Sequence, residues 1–490
     1  MPTAQRLVSS RPADVFTQAF PLGNGSLGAL PFGGIGCERV LLNEAGCWSG
    51  SPQEADRGEA VTVLPEIRRL LLAGEHHAAE ALVEAHFTCA GVGSGQGQGA
   101  DTPFGCYQML GELTLTWPSV TEATAYHREL DLDGAVSTSG FTAGGAQWSR
   151  ESFTSHPDQV LALRLTGPAG QEFTITLTRP ERADVRVVGS DLLMFVRPPD
   201  GHGGSHLTAV AQLRVLAPGG TIITGADHLM IRAGSEPVLV LLAACTDMTS
   251  FAGRRADDPL AQTGLDLDRA AELGWHTLLV RHQADHRALF RRTRLHLGQA
   301  EGGDTVQELA ACAAGGPTAG LAELAFDYGR YLLIAASRPG GLPINLVGLW
   351  ADTVQTAWNG DWHLNINVQM NYWAAGPTNL AELEEPLFAL IGSLATPGRR
   401  TAQAYYGARG WVAHVLANPW GFTSPGEGAR WGATVSGAAW LCIHLWEHWC
   451  FTRDRATLAA HWPILRDAAL FHLDSLVEDA DGCLVTAPSN

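Results

Sequence analysis

The chain has 490 residues, 46% of them hydrophobic and 17% charged, and a formal net charge of -18 at pH 7. A single core stops growing at about 250–300 residues, so two or three domains are expected. Acidity without any basic stretch argues against nucleic acid or an anionic membrane as partner, because both would repel the chain, and a neutral ligand fits better.

The opening MPTAQRLVSSRPADVF has no apolar core followed by a small-residue cleavage site, so no signal peptide is read and a cytoplasmic location is expected. No run approaches the roughly 18 apolar residues of a membrane span. Nine cysteines, odd in number and without a CxxC pair, favour reduced and mostly buried thiols.

From about residue 20 to 262 the pattern is β. Short alternating runs such as 112–117, 160–165, 173–177 and 238–242 are separated by Gly, Pro and Asp turns, which predicts an antiparallel sandwich. One helix interrupts it, because Ile67, Leu70, Leu71, Ala78, Leu82 and Ala85 keep a three-to-four spacing. The stretch GVGSGQGQG at 91–99 has the composition of a flexible loop. Near 263 the texture changes: segments 268–293, 319–337, 378–395, 433–452 and 455–478 show helical spacing, as in antiparallel helices joined by short loops. Eleven of the fifteen tryptophans lie between 350 and 462, so aromatic chemistry concentrates in this half.

Three motifs have a bland reading that is stronger than the functional one. Gly23-Asn24-Gly25-Ser26-Leu27-Gly28 fits GxGxxG, but no buried strand precedes it and Pro31 with Gly33-Gly34 breaks any following helix, so turn glycines are expected. His444 and His448 fit HxxEH, yet Ala438, Leu441, Leu445 and Trp449 form an apolar stripe beside them and a helix packed in a bundle is favoured over a metal site. His76-His77 reads as solvated, and no GxSxG supports a serine triad. No cofactor or metal is expected.

The stretch from Trp350 to Trp373 differs, because its polar residues are mostly amides, with two acids and an imidazole, interleaved with four tryptophans. Sugar binding needs this mixture: flat aromatic faces cover ring C–H groups while Asn, Asp and His make directional hydrogen bonds to hydroxyls. In an extended conformation His363, Asn365, Asn367, Gln369 and Asn371 would share one side and Leu364, Ile366, Val368, Met370 and Tyr372 the other. The alternative is a loop whose amides satisfy buried backbone groups.

With these residues in view the sequence resembles the fucosidases of glycoside hydrolase family 95. The resemblance runs through PLGNGSLGALPFGG, RVLLNEAGCWSG, YQMLGELTL, FTSHPDQVLALRLTG, FDYGRYLLIAASRPGGLPINLVGLW, WNGDWHLNINVQMNYWAAGPTNLAELEEPL, WVAH and AAWLCIHLWEHWCFT, in that order and over nearly the whole chain. It implies an N-terminal β-sandwich (1–262), a helical linker (263–300) and an (α/α)6 barrel (301–490, incomplete) that holds the site. It implies inverting removal of terminal α-linked L-fucose, notably α1,2-linked, from a fucosylated oligosaccharide, with L-galactose preferred by some relatives. An asparagine pair, here Asn365 and Asn367, would hold the water, the second of them touching it, and a distant aspartate would polarise it. His363 falls where fucose-preferring members carry histidine, near the sugar C6. Asp361, Asn359, Trp358, Tyr372, Trp373 and His414 are next in line around the sugar.

Two departures matter. Where relatives read His-His, two variable residues, Asp, an aliphatic and Trp, this chain has His414-Val415-Leu416-Ala417-Asn418-Pro419-Trp420. The resemblance also implies a general-acid glutamate in a Ser-Pro-Glu-Asn run and a later aspartate, whereas the sequence given stops at Asn490, so a fragment with weak or no activity is expected. Glu447, Glu478 and Asp481 have nothing in the sequence to place them opposite Asn367. An inactive sugar-binding remnant and a phosphorylase are the rival readings.

Overall fold

A computed structural model describes residues 6–298, 303–316 and 319–488. Two antiparallel sheets face one another in the first half. The larger runs Arg6–Ser9, Thr124–Asp131, Val136–Ala143, Ala146–Ser155, Val160–Thr166, Val238–Thr246, Ala209–Leu216, Asp191–Val196, Ala183–Val188. The smaller runs Thr221–Thr224, His228–Arg232, Glu172–Thr178, Gly111–Thr116, Cys37–Glu44, Leu27–Pro31, Leu22–Gly23. Alternation sets the inner face: Leu113, Leu115, Ile175 and Leu177 are buried while Thr114 and Thr176 between them are partly exposed. Val238–Thr246 is buried throughout because a helix covers its outer face, which explains why it reads as an unbroken apolar run.

The sandwich buries charge as well as leucine. Glu44, fully buried, accepts from Gly46 N at 2.7 Å and Ser26 Oγ at 3.2 Å, and burial pushes its carboxyl up to about 7. The folded state therefore holds this proton more tightly than the unfolded chain, and stability present below the ordinary carboxylate pKa is lost as pH rises through 7. Glu44→Gln keeps an acceptor and removes the titration. Its stability relative to the parent is expected to improve by on the order of 2 kcal/mol between pH 4.5 and 7.5; urea unfolding at both pH values reads it, and a pH-independent difference would show that Glu44 does not titrate there.

Residues 60–86 form two helices, α1 (Ala60–Leu72) and α2 (His76–His86), where one was expected. Gly74, at φ 75, supplies the left-handed turn between them. Then α3 (Pro259–Phe290) begins on an Asp258 cap that accepts from Ala261 N, earlier than the expected change of texture. It packs Leu267, Ala270 and Leu278 against Leu239, Leu241 and Ala243 of the larger sheet. There follow α4 (Thr305–Ala313), which the spacing had not indicated, α5 (Ala319–Ala336), α6 (Asn367–Tyr372), α7 (Glu385–Tyr406), α8 (Ala429–Gly432), α9 (Gly437–Thr452) and α10 (Arg455–Ser475). The helix expected at 378–395 is shifted, because Pro386 sits at the start of α7, where a missing N–H costs nothing.

The two halves meet through aromatic side chains. Trp350 Nε1 donates to Leu22 O at 2.9 Å and Tyr331 Oη to Pro21 O at 2.5 Å, while the Trp48 and Trp362 rings lie 5.3 Å apart. The GxGxxG stretch is the hairpin between Leu22–Gly23 and Leu27–Pro31, with Asn24 Oδ1 accepting from Ser26 N and Leu27 N. A Cβ on Gly23 would fall 2.5 Å from Ala335 O, so glycine lets the end of α5 approach. Among the described residues no helix is long and apolar enough to cross a membrane.

Candidate active site

Residues 363–372 are not one extended row. Only Trp362–His363 is strand, paired with Leu416–Ala417, and Leu364 N donates to Val415 O at 2.6 Å. The chain then turns at Ile366 and enters α6, in which Val368, Gln369 and Tyr372 are buried at helical rather than strand spacing. Gln369 Nε2 turns back to Leu364 O at 2.6 Å, and Asn371 points towards the Ile344 and Asn345 carbonyls. Asn365 and Asn367 thus lie on either side of a bend.

The bend opens onto a cavity of about 520 Å³ lined by Ser94, Gln96, Gly97, Trp358, Asp361, His363, Asn365, Val415, Leu416 and Trp431, within the size range of small-molecule sites. At its floor Asp361, 1% exposed, bonds through Oδ1 to His363 Nδ1. Its Oδ2 is buried and has no hydrogen-bond partner among the described residues. Burial pushes the Asp361 carboxyl up to about 6, with His363 pulling it back. No other carboxyl lines the cavity among the described residues. Trp358, 66% exposed, and Trp431, 42% exposed, stand at the mouth. Trp358 and Asn359 both take left-handed backbone, at φ 46 and 62, a strained conformation that persists only where surrounding bonds impose it.

The structure therefore gathers Trp358, Asp361, His363 and Asn365 around one cavity. The other candidates lie elsewhere. Asn367 is exposed at the start of α6, outside the cavity lining. Asn359 is fully buried and ties down the 91–99 loop, donating to Ser94 O at 2.8 Å and accepting from Gly99 N at 2.6 Å. Tyr372 is buried with its hydroxyl between Ser337 Oγ and Ile344 N, and Trp373 is exposed at the end of α6. His414 is buried between Tyr406 Oη at 2.9 Å and Thr423 O at 2.7 Å, and burial lowers its imidazole to about 4. The departure that follows it is orderly: Asn418 Oδ1 accepts from Trp420 N and Phe422 N and its amide donates to Phe104 O. In the HxxEH helix, His448 Nδ1 meets Glu384 Oε2 at 2.7 Å and His444 is buried.

Sequence reasoning missed Ser94, Gln96, Gly97 and Trp431. The loop was read as loose, yet its bonds hold it to the helical half, which its glycine-rich composition does not report. Trp431 was one tryptophan in a rich region, and what singles it out is the pair Gly426 and Gly428, where a Cβ would fall 2.4 and 2.6 Å from its ring.

A β-sandwich leads into antiparallel helices, and one cavity is lined by an imidazole, two amides, one carboxyl and two exposed tryptophans, a mixture that can hydrogen-bond hydroxyls and cover an apolar ring face. Residues 274–490 match the glycosyl hydrolase family 95 catalytic domain, and residues 7–250 match the glycosyl hydrolase family 65 N-terminal domain. The helical half of the chain is thus similar to the catalytic domain of glycosyl hydrolase family 95. It is 35% identical to Alpha-L-fucosidase 2 of Arabidopsis thaliana over 99% of this chain and 60% of that one. It is 32% identical to "Probable alpha-fucosidase A" of Aspergillus niger over 97% of this chain and 61% of that one. The chain thus spans about three fifths of the length of these relatives. A human-microbiome protein described as a kojibiose phosphorylase superposes with a TM-score of 0.60 at 10% identity, over 98% of this chain and 62% of that one, a likeness of fold alone.

Proposed function

We propose that the cavity binds the terminal α-linked L-fucose of a glycan, and that the site to which it belongs releases that sugar, α1,2-linked for preference, by inverting hydrolysis. The observation that supports this best is that the Asp361–His363 pair, Asn365 and Trp358 line one cavity, in a chain whose curated relatives carry fucosidase names. With Nδ1 taken by Asp361, the His363 ring is fixed in orientation, and its other nitrogen is left to a sugar hydroxyl or the C6 region. Asp361 Oδ2, buried and without a hydrogen-bond partner among the described residues, accepts from a second hydroxyl. Asn365, which lines the cavity, faces the attacking water, while Asn367 lies outside the lining. An amide is a very weak base, so the proton must pass to a carboxylate. Residues 1–262, 263–300 and 301–490 serve as the working division into sandwich, linker and barrel.

Inversion needs two carboxyl groups on opposite faces of the sugar, about 6.5–9.5 Å apart. A single carboxyl lines the cavity among the described residues, so capture of the sugar without efficient turnover is the second reading. Calorimetry on residues 1–490 is expected to show L-fucose binding, weaker L-galactose binding and none for D-galactose, with fucose release from 2′-fucosyllactose slow or absent. Equal heats for L-fucose and D-galactose would sink the fucose reading. Rapid release abolished by Asn365→Ala would sink the single-carboxyl argument.

A further inference from the structure

The 91–99 loop leaves the chain between α2 and the sandwich strand Gly111–Thr116, yet it walls the cavity with Ser94, Gln96 and Gly97. Gly91, Gly93, Gly95, Gln96 and Gly97 all take left-handed backbone, with φ between 56 and 77. Three side chains from the far half hold that shape. Glu427 accepts from Ser94 N at 3.0 Å, Ser94 Oγ at 2.7 Å and Gln96 N at 2.5 Å. Gln355 donates to Gly97 O at 3.0 Å and accepts from Ala100 N at 2.9 Å, and Asn359 bonds Ser94 and Gly99 as described. A Cβ on Gly97 would stand 3.2 Å from Trp358 Cα. The glycines therefore serve close packing rather than slack.

Gln96 is the exception among them. It is strained, because a left-handed backbone suits glycine and penalises a side chain, and its main chain is pinned by Glu427. Its side-chain amide is exposed and makes no hydrogen bond among the described residues. Trp431 shares the same support, since Glu427 lies between the two glycines that make room for the indole. Both stand at the mouth of the cavity, above the buried Asp361. A site that takes the end of a glycan holds the terminal ring deepest, so the ring attached to it lies at the mouth.

We propose that Gln96 and Trp431 recognise the penultimate sugar, the one that leaves, and so set which fucosylated glycan the site accepts. The Gln96 amide, donor and acceptor at once, matches a pair of ring hydroxyls, and the Trp431 face covers the ring C–H groups. This rests on the fucose reading of the cavity floor. The test is calorimetry of residues 1–490 with L-fucose and with 2′-fucosyllactose. The parent is expected to bind the trisaccharide at least tenfold more tightly than fucose. Gln96→Gly, which relieves the strained backbone and so preserves the fold, and Trp431→Ala are each expected to cut trisaccharide affinity five- to tenfold and fucose affinity by a clearly smaller factor, so that the preference for the trisaccharide shrinks. A trisaccharide preference that survives both substitutions overturns the proposal, as does a parent that binds the two ligands equally. Absence of fucose binding in the parent instead overturns the reading of the floor, and the proposal falls with it.

Discussion

Trp362→Ala is expected to destabilise the protein by about 3–5 kcal/mol, the range for truncating a fully buried aromatic residue. Its indole is 1% exposed, donates to Pro343 O at 3.1 Å, and lies between Trp48 of the sandwich and Phe251, at ring separations of 5.3 and 5.7 Å. The lost surface therefore belongs to the joint between the halves. Because Asp361 and His363 flank this residue, sugar binding should weaken with it. Trp362→Phe keeps most of the packing and should cost about 1–2 kcal/mol. Urea unfolding reads both, and a change below 1 kcal/mol for alanine would mean that the joint does not depend on this ring.

Asp361→Asn should move stability and binding in opposite directions. In the fold the carboxyl is pushed up to about 6 by burial, so at pH 7 the ionised side chain is held against its preference. The folded pKa lies above the unfolded one, so stability available below the ordinary carboxylate range is lost as pH rises through 6. The neutral amide avoids that loss, and the variant is expected to gain about 1–2 kcal/mol at pH 7 and nothing at pH 4. Affinity for L-fucose should fall about tenfold or more, as expected when a charged hydrogen-bond acceptor is lost. Thermal unfolding at the two pH values and calorimetry separate the effects. Equal or tighter fucose binding by the variant would remove Asp361 from the sugar site. Functional groups held at a cost to stability are where such opposition is found.

Much of the sandwich was legible because its strands alternate: Gly111–Thr116 and Glu172–Thr178 expose their threonines and bury their leucines and isoleucine, a period that only a half-buried strand explains. The stretch after Trp362 was misread for a related reason. Its alternating amides suit period two, but Val368 and Tyr372, four apart, suit a helix equally well, and over six residues the two periods cannot be told apart. The floor of the cavity was legible because Trp358, Asp361, His363 and Asn365 sit within eight positions of one another. Its opposite wall was not, because nothing local ties Ser94 to Glu427, and glycine-rich composition reports permissive backbone without reporting what it packs against. His414 and Tyr372 were chemically apt, but burial among Tyr406, Thr423, Ser337 and Ile344 has already satisfied them.

The bond from Ser94 to Glu427 joins positions 333 residues apart. Contacts of such separation form slowly, since the chain entropy of closing so long a loop is lost before the contact is gained. The cavity should therefore be among the last parts of the molecule to assemble during refolding, appearing after the sandwich strands and α1 to α3 have formed. A sugar added to a refolding sample would bind only fully assembled molecules, drawing the population towards them, so the onset of ligand binding would date the docking of the two halves.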